Sequence, residues 1–307
     1  MISDKIKGVI FGQAIGDALG VRSEFMSKEM VGNTYGVLSD YCSTDKPFDD
    51  IGGQWSDDTE MMLCIARAMI KDKCVNPLSV AKNFKEWLLS GNCYGIGNST
   101  YSVLKKDEYV DNPFYESESF WIKSNRRNAA NGGIMRTAII GLLKDDVISA
   151  AEQVCKLTHY DPRCVGSSVA ISEVVSRLIW QNEQMSPVDL IRLVNHYDPR
   201  IAEYVALSQS KDISVMQLDD EYTMGYTLKT MGAALWCLYN AKDFQDGLLV
   251  TVNEGGDADT NAAVACALLG AKYGYSAIPL KYIDGLSRKN ELMSISDKLI
   301  DSFAKGK

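Results

Sequence analysis

Two acidic clusters, one near residue 57 and one near residue 257, carry the residue types of a hard-cation site. The first is Trp55-Ser56-Asp57-Asp58-Thr59-Glu60, and the second is Gly255-Gly256-Asp257-Ala258-Asp259-Thr260-Asn261. Each sets two carboxylates beside a Thr and opens an apolar run with helical spacing. Carboxylate and hydroxyl oxygens are the ligands that Mg²⁺ and Mn²⁺ take. Four carboxylates in one pocket repel one another unless cations neutralise them. Taken alone, Ser56-Asp57-Asp58 is equally a helix cap with acidic residues where the macrodipole favours them. The paired glycines before Asp257 permit unusual backbone angles and close backbone approach, which a cap does not need. If the clusters meet in space, they build a metal centre.

The elements that must position them are helices. Ile6, Val9, Ile10, Ala14 and Leu19 share a face of a helix ending at Gly20. Met61, Met62, Ile65, Ala66, Met69 and Ile70 follow the first cluster at helical spacing. Comparable patterns cover residues 76–89, 134–143, 146–157, 164–182, 187–195, 224–241, 243–252, 259–273 and 291–304. Asn76-Pro77 and Ser186-Pro187 put a capping residue before Pro at the first helical position. Alternating strand-like runs are scarce, so the chain reads as all-α. The longer irregular stretches are 20–55, 91–100 and 107–133, and loops of that length in a compact domain are usually functional or disordered. A domain boundary between 60 and 255 would part the two clusters, which favours a single domain over 1–307.

Further segments could bind a ligand. Residues 125–133, Asn-Arg-Arg-Asn-Ala-Ala-Asn-Gly-Gly, lead into the run from Ile134, and backbone N–H groups of such a loop suit an anion. Gly95-Ile96-Gly97-Asn98-Ser99-Thr100 is a second Gly-rich turn into a helix, a weaker signal. Asp17 is an acid on an apolar helix face, suited either to supporting metal ligands or to a structural role at the helix end. The two histidines sit in a repeat, His159-Tyr160-Asp161-Pro162-Arg163 and His196-Tyr197-Asp198-Pro199-Arg200. Asp as cap with Pro at the next position explains half of that repeat.

These segments together resemble the ADP-ribosylglycohydrolases, the family of the dinitrogenase-reductase-activating glycohydrolase and of ADP-ribosylarginine and ADP-ribosylserine hydrolases. The resemblance is carried by Gly12-Gln13-Ala14-Ile15-Gly16-Asp17-Ala18-Leu19-Gly20 with Glu24, by Trp55 to Met61, and by Asn131-Gly132-Gly133-Ile134-Met135-Arg136. Thr158-His159 and Val252 to Thr260, continuing to Ile278-Pro279, complete it. The segments occur in the family's order and span most of the chain. The resemblance implies a compact, orthogonal all-α globule with two Mg²⁺ or Mn²⁺ ions at helix N-termini. One ion would take Ser56, Asp57, Asp58 and Asp259, the other Asp257, Asp259, Thr260 and Glu24. Ser56 stands where Thr is usual and keeps the hydroxyl, while Glu24 lies on a loop that swings in relatives. Glu24, Asp57 and Asp58 would be catalytic. Gly95, Gly97, Asn128, Ala129, Asn131, Gly132, Met135 and His159 would line the ADP-ribose site, although Asn128 and Ala130 replace the Ser and Gly common in relatives. His196 matches no site of the family.

The implied reaction is hydrolysis of the bond between C1″ of ADP-ribose and an acceptor, through an oxocarbenium-like state that nearby carboxylates stabilise. Arginine is the favoured acceptor, with serine, acetyl and nucleic-acid linkages as alternatives. A non-catalytic ADP-ribose binder and a binuclear phosphoesterase are the rival functions. Two histidines are few for the second, since such sites usually mix His with carboxylates. Glu254 departs from the apolar residue common in relatives and either attracts a cationic acceptor or faces solvent.

Composition sets the outer bounds. The chain has 307 residues, 46% of them hydrophobic and 23% charged, with a formal net charge of -8. Such a balance disfavours broad binding to nucleic acid or anionic membranes. Eight cysteines without a CxxC pair read as buried free thiols in a reducing cytoplasm. No signal-peptide core or membrane-spanning run is present, and no heptad seam, so a cytoplasmic monomer is expected.

Overall fold

The computed structural model describes residues 1–41 and 52–304. Cys42 and residues 42–51 of the 20–55 stretch lie outside the described residues. Chain order runs α1 (Ile2–Gly20), α2 (Lys28–Tyr35), α3 (Asp57–Asp72), α4 (Pro77–Leu89) and α5 (Asn98–Leu104). It continues through α6 (Pro113–Lys123), α7 (Val147–Lys156), α8 (Pro162–Trp180), α9 (Pro187–Val194) and α10 (Arg200–Leu207). It closes with α11 (Thr227–Asn240), α12 (Phe244–Asn253), α13 (Ala258–Tyr273), α14 (Leu280–Gly285) and α15 (Lys289–Phe303). Among the described residues there is no sheet, only three isolated bridges, and the fold is all-α. Among the described residues no helix is long and apolar enough to cross a membrane.

Helices α1 and α13 form the centre because neither has a polar face to offer water. All of α1 from Gly8 to Gly20 is buried, as is α13 from Ala258 to Ala271. They touch along Gly8, Gly12, Gly16 and Gly20, spaced by four, which meet the backbone of Gly270, Cys266, Ala262 and Ala258–Asp259. A Cβ on Gly16 would stand 2.2 Å from the Ala262 carbonyl oxygen, so only glycine allows this approach. The contact carries Asp17 and Asp259 to the same end of the pair. Helices α8, α11 and α12 pack on α13, while α3 and α15 pack on α1.

Several expectations need correction. Residues 134–143 form two 3₁₀ segments, Ile134–Arg136 and Ala138–Leu142, rather than an α-helix. Gly141 lies against α8, where a Cβ would be 2.5 Å from Val175 Cβ, and the Thr137 carbonyl accepts from Ser172 Oγ at 2.8 Å. This docking holds the chain in the tighter coil. The helix expected over 224–241 begins at Thr227 because Gly225 has φ +72°. The 20–55 and 107–133 stretches contain α2 and α6, and α10 and α14 are short helices with little periodic signal. Cys64, Cys155, Cys164, Cys237 and Cys266 are buried free thiols, Cys93 is half-buried and Cys74 is exposed.

Candidate metal centre

Asp17 ties the first acidic cluster to the central helix pair. Its Oδ1 accepts from the Ser56 N–H at 2.9 Å, and its Oδ2 accepts from the Thr59 N–H at 2.9 Å and the Thr59 hydroxyl at 2.6 Å. Two of these donors belong to the N-terminus of α3, so a side chain of α1 caps a different helix. Ser56 adds a longer bond, accepting from the Asp58 N–H at 3.4 Å while donating to Asp58 Oδ2 at 3.2 Å. Burial pushes Asp17 up to about 6 against these bonds.

The second cluster arrives through a backbone that only glycine tolerates. Gly255 and Gly256 both have φ +71°, and Cβ atoms there would lie 2.3 Å from the Met26 carbonyl oxygen and 2.0 Å from that of Leu218. The Phe25 N–H donates to the Gly256 carbonyl at 2.6 Å, and the Gly256 N–H donates to the Met26 carbonyl at 2.8 Å. These bonds pin the loop carrying Glu24 beside Asp257.

The clusters meet. The Thr260 hydroxyl donates to Asp58 Oδ2 at 3.3 Å, and the Thr260 N–H donates to Asp259 Oδ1 at 2.8 Å. Carboxylate oxygens of Asp17, Asp58 and Asp259 lie within 4.8 Å of one another, as do those of Glu24, Asp257 and Asp259. Asp259 is common to both groups. Asp17 accepts from three donors at the start of α3, so it holds the end of that helix beside the other acids. Asp57 stands outside both groups. It accepts from the Gly97 N–H, and a Cβ on Gly95 would lie 2.8 Å from its Oδ1.

Burial and mutual repulsion raise the acids. Burial, then Asp17, Asp257 and Glu24, push Asp57 up to about 8. Burial, then Asp257 and Asp17, push Glu24 up to about 7. Asp58 and Asp259 are also raised, first by burial. Asp58 Oδ1 is buried with no hydrogen-bond partner among the described residues. Crowded oxygen ligands, an orphaned carboxylate oxygen and the absence of Lys or Arg from the lining fit a hard cation.

These acids form one wall of a cavity of about 300 Å³. Of the anticipated residues, Glu24, Asp57, Asp58, Gly95, Gly97, Asn131, Gly132, Met135, His159, Asp257, Asp259 and Thr260 line it. Ser56, Asn128 and Ala129 do not. Ser56 backs onto a neighbouring cleft with Trp55 and Arg288. Asn128 and Ala129 line an adjoining depression with Arg163 and Tyr226, which shares Ala130, Met224 and Gly225 with the cavity. The Gly-rich loop is fastened there, since the Asn131 N–H donates to the Gly225 carbonyl at 2.9 Å and Asn131 Nδ2 donates to Asp257 Oδ2 at 2.9 Å. Asn98, Ser99 and Thr100 of the second Gly-rich turn line the cavity too, and Phe25, Met224 and Gly225 also line it and were not anticipated. Of these three, only Gly225 is of a residue type that marks a turn in the sequence.

Three further residues resolve. Glu254 is buried and paired with Lys28 at 2.5 Å, and it neither lines the cavity nor faces solvent. His159 is buried on the cavity wall, whereas His196 is exposed and lies against Tyr197 with ring centroids 4.0 Å apart. The repeat is turn chemistry: Asp161 accepts from the backbone and guanidinium of Arg163, and Asp198 does the same for Arg200. Asp161 caps α8, but α10 begins one residue later than the repeat suggests, with Pro199 at its cap position.

Comparison with known proteins places the chain in a family. The family model for ADP-ribosylglycohydrolase matches residues 1–307. An ADP-ribosylarginine hydrolase, Tri1, from Serratia proteamaculans is 26% identical, covering 96% of this chain and 79% of its own. The ADP-ribosyl-[dinitrogen reductase] glycohydrolase of Rhodospirillum rubrum is 27% identical, covering 94% and 92%. A solved structure described as an ADP-ribosylglycohydrolase-related protein complex superposes with a TM-score of 0.78 at 25% identity, covering 98% of each chain. The chain belongs to the ADP-ribosylglycohydrolase family and is a hydrolase of glycosidic bonds.

Proposed function

We propose that this chain, acting as a single monomeric domain, hydrolyses the N-glycosidic bond between ADP-ribose and an arginine side chain with two Mg²⁺ or Mn²⁺ ions. The observation that carries the reading is the meeting of Asp58 with Asp259 and Thr260, with Glu24 and Asp257 beside them, on one wall of a cavity whose other wall is the loop from Ala130 to Gly132. Asp58, Asp257, Asp259, Thr260 and Glu24 are the residues that would hold the ions, with Asp259 shared. Asp57 and Ser56 adjoin them. Bound there, the ions supply Lewis acidity to hydroxyl and water oxygens.

The chain's own residues do the rest. Asp57 and Glu24 both face the cavity, so either carboxylate can take a proton from water as its oxygen bonds to C1″. That proton passes from the carboxyl to the departing nitrogen as the C1″–N bond breaks. Asn131 holds Asp257, and Thr260 holds Asp58, so neither carboxylate must reorganise. The adjoining depression at Arg163 and Tyr226 leaves room for the remainder of an extended nucleotide sugar.

The cavity lining carries carboxylates and no Lys or Arg, which favours a cationic acceptor, and a relative named for arginine points the same way. Buried Glu254 plays no part in that preference. The test is a panel of arginine-, serine- and acetyl-linked ADP-ribose with Mg²⁺ and with Mn²⁺, reading the product. Free ADP-ribose from the arginine substrate supports the proposal. Release from the serine or acetyl substrate alone reassigns the acceptor. AMP as product would overturn glycosidic cleavage, and tight ADP-ribose binding without turnover would mark a non-catalytic binder.

A further inference from the structure

Arg136 is fully buried, and among the described residues no carboxylate pairs with it. Buried charges are ordinarily paired, so this one needs an account. Its Nη2 donates to Thr158 Oγ1 at 2.6 Å, its Nη1 approaches Met61 Sδ at 3.5 Å, and its plane lies 4.6 Å from the Phe84 ring centroid. Thr158 Oγ1 is in turn 2.8 Å from His159 Nδ1.

A guanidinium has only donors, so Thr158 Oγ1 must accept from Arg136. The hydroxyl keeps one hydrogen to place. Were Nδ1 protonated, it too would donate to that oxygen, and the hydroxyl hydrogen would have no acceptor among the described residues. Thr158 is 2% exposed, and a stranded buried donor costs about 1–3 kcal/mol. The hydroxyl therefore donates to Nδ1, and the single proton of a neutral ring sits on Nε2. Burial and the nearby charge of Arg136 keep the ring neutral, lowering it to about 3.

The Nε2 edge faces the cavity. It borders Gly132, where a Cβ would lie 3.0 Å away, and Thr100 Oγ1 lies as close to that same point. No group among the described residues accepts from Nε2. The opposite tautomer would turn a lone pair into the cavity, which repels a phosphate and can ligate a metal.

We propose that Arg136 and Thr158 are positioning residues that fix His159 as the Nε2–H tautomer, so that the ring donates a hydrogen bond to a phosphate oxygen of the bound nucleotide sugar. The ligand's identity rests on the function proposed above, but the tautomer does not.

The chain has two histidines, so ¹⁵N-imidazole labelling gives two ring systems, and His196→Gln assigns them. At neutral pH, His159 is expected to show an unprotonated Nδ1 and a protonated Nε2. A protonated Nδ1 would overturn the proposal without any further variant. Thr158→Ser keeps the hydroxyl and should keep both the ring pattern and the affinity for ADP-ribose in the presence of Mg²⁺. Thr158→Val should lose the fixed tautomer and weaken ADP-ribose by about tenfold. Affinity unchanged in a folded Thr158→Val protein whose tautomer has shifted would overturn the role in binding. If Thr158→Val does not fold, the wild-type spectrum and Thr158→Ser decide the matter. Failure of wild-type protein to bind ADP-ribose at all would sink the proposed function and leave the tautomer assignment standing.

Discussion

The Asp57 carboxyl is buried among the charges of Asp17, Asp257 and Glu24 and is pushed up to about 8. A neutral isostere removes that repulsion, so Asp57→Asn should raise the thermal midpoint of metal-free protein. The same change removes a cavity carboxylate, and kcat/KM for release of ADP-ribose should fall by about 10²–10⁴. A variant that melts lower than wild type in chelator, or one that keeps full activity, would contradict this. Asp17 behaves oppositely because both its oxygens accept from the start of α3. Asp17→Asn turns one acceptor into a donor aimed at Ser56 or Thr59, which should cost about 1–3 kcal/mol and loosen the α3 end that presents Asp57 and Asp58. Calorimetric unfolding and Mn²⁺ titration check it together, and an unchanged Mn²⁺ affinity would mean Asp17 does not position the site. The acidic residues were legible in the sequence because carboxylate pairs beside hydroxyls are rare and have a chemical reason. The role of Asp17 was legible only as a choice between supporting the metal ligands and ending a helix, because its partners lie on another helix and spacing along the chain does not name them.

The contact between α1 and α13 sets the register on which those acids depend. Gly8, Gly12, Gly16 and Gly20 stand four apart, so they form one ridge on α1, and a sequence reader could have found that stripe. Periodicity looks for apolar residues, however, and glycine carries no apolar signal. Gly16→Ala forces a Cβ to within 2.2 Å of the Ala262 carbonyl oxygen and should destabilise by about 1–3 kcal/mol or more, with loss of activity. Gly32→Ala is the control. It lies inside α2 with nothing within 4 Å of its Cβ position, and it should stabilise by about 0.5–1 kcal/mol. Equal effects from the two substitutions, read by chemical denaturation, would show that close packing is not what the ridge provides. Long apolar helices such as α8 and α13 were legible, whereas α2, α6 and the 3₁₀ turns after Gly133 were not. Those short elements are fixed by docking, as the Ser172 bond to the Thr137 carbonyl shows, and docking partners have no local signature.

Across the whole molecule, the chain from α1 to α13 closes around a concentration of acid that it cannot neutralise itself. Folded Asp57 is raised from 3.8 to about 8, Glu24 from 4.5 to about 7 and Asp17 from 3.8 to about 6. Each group holds its proton more tightly folded than unfolded. Its stabilising contribution is complete below the unfolded value and is lost as pH rises through the folded value. Metal-free protein should therefore lose stability steadily from about pH 4 to pH 8. Cations bind the deprotonated carboxylates, so their stabilisation grows with pH over the same window. Thermal midpoints measured with chelator and with excess Mn²⁺ should diverge as pH rises. If the two curves run parallel from about pH 4 to pH 8, the titrating carboxyls and the cation site are separate, and the clusters at Asp57–Asp58 and Asp257–Asp259 do not act as one centre.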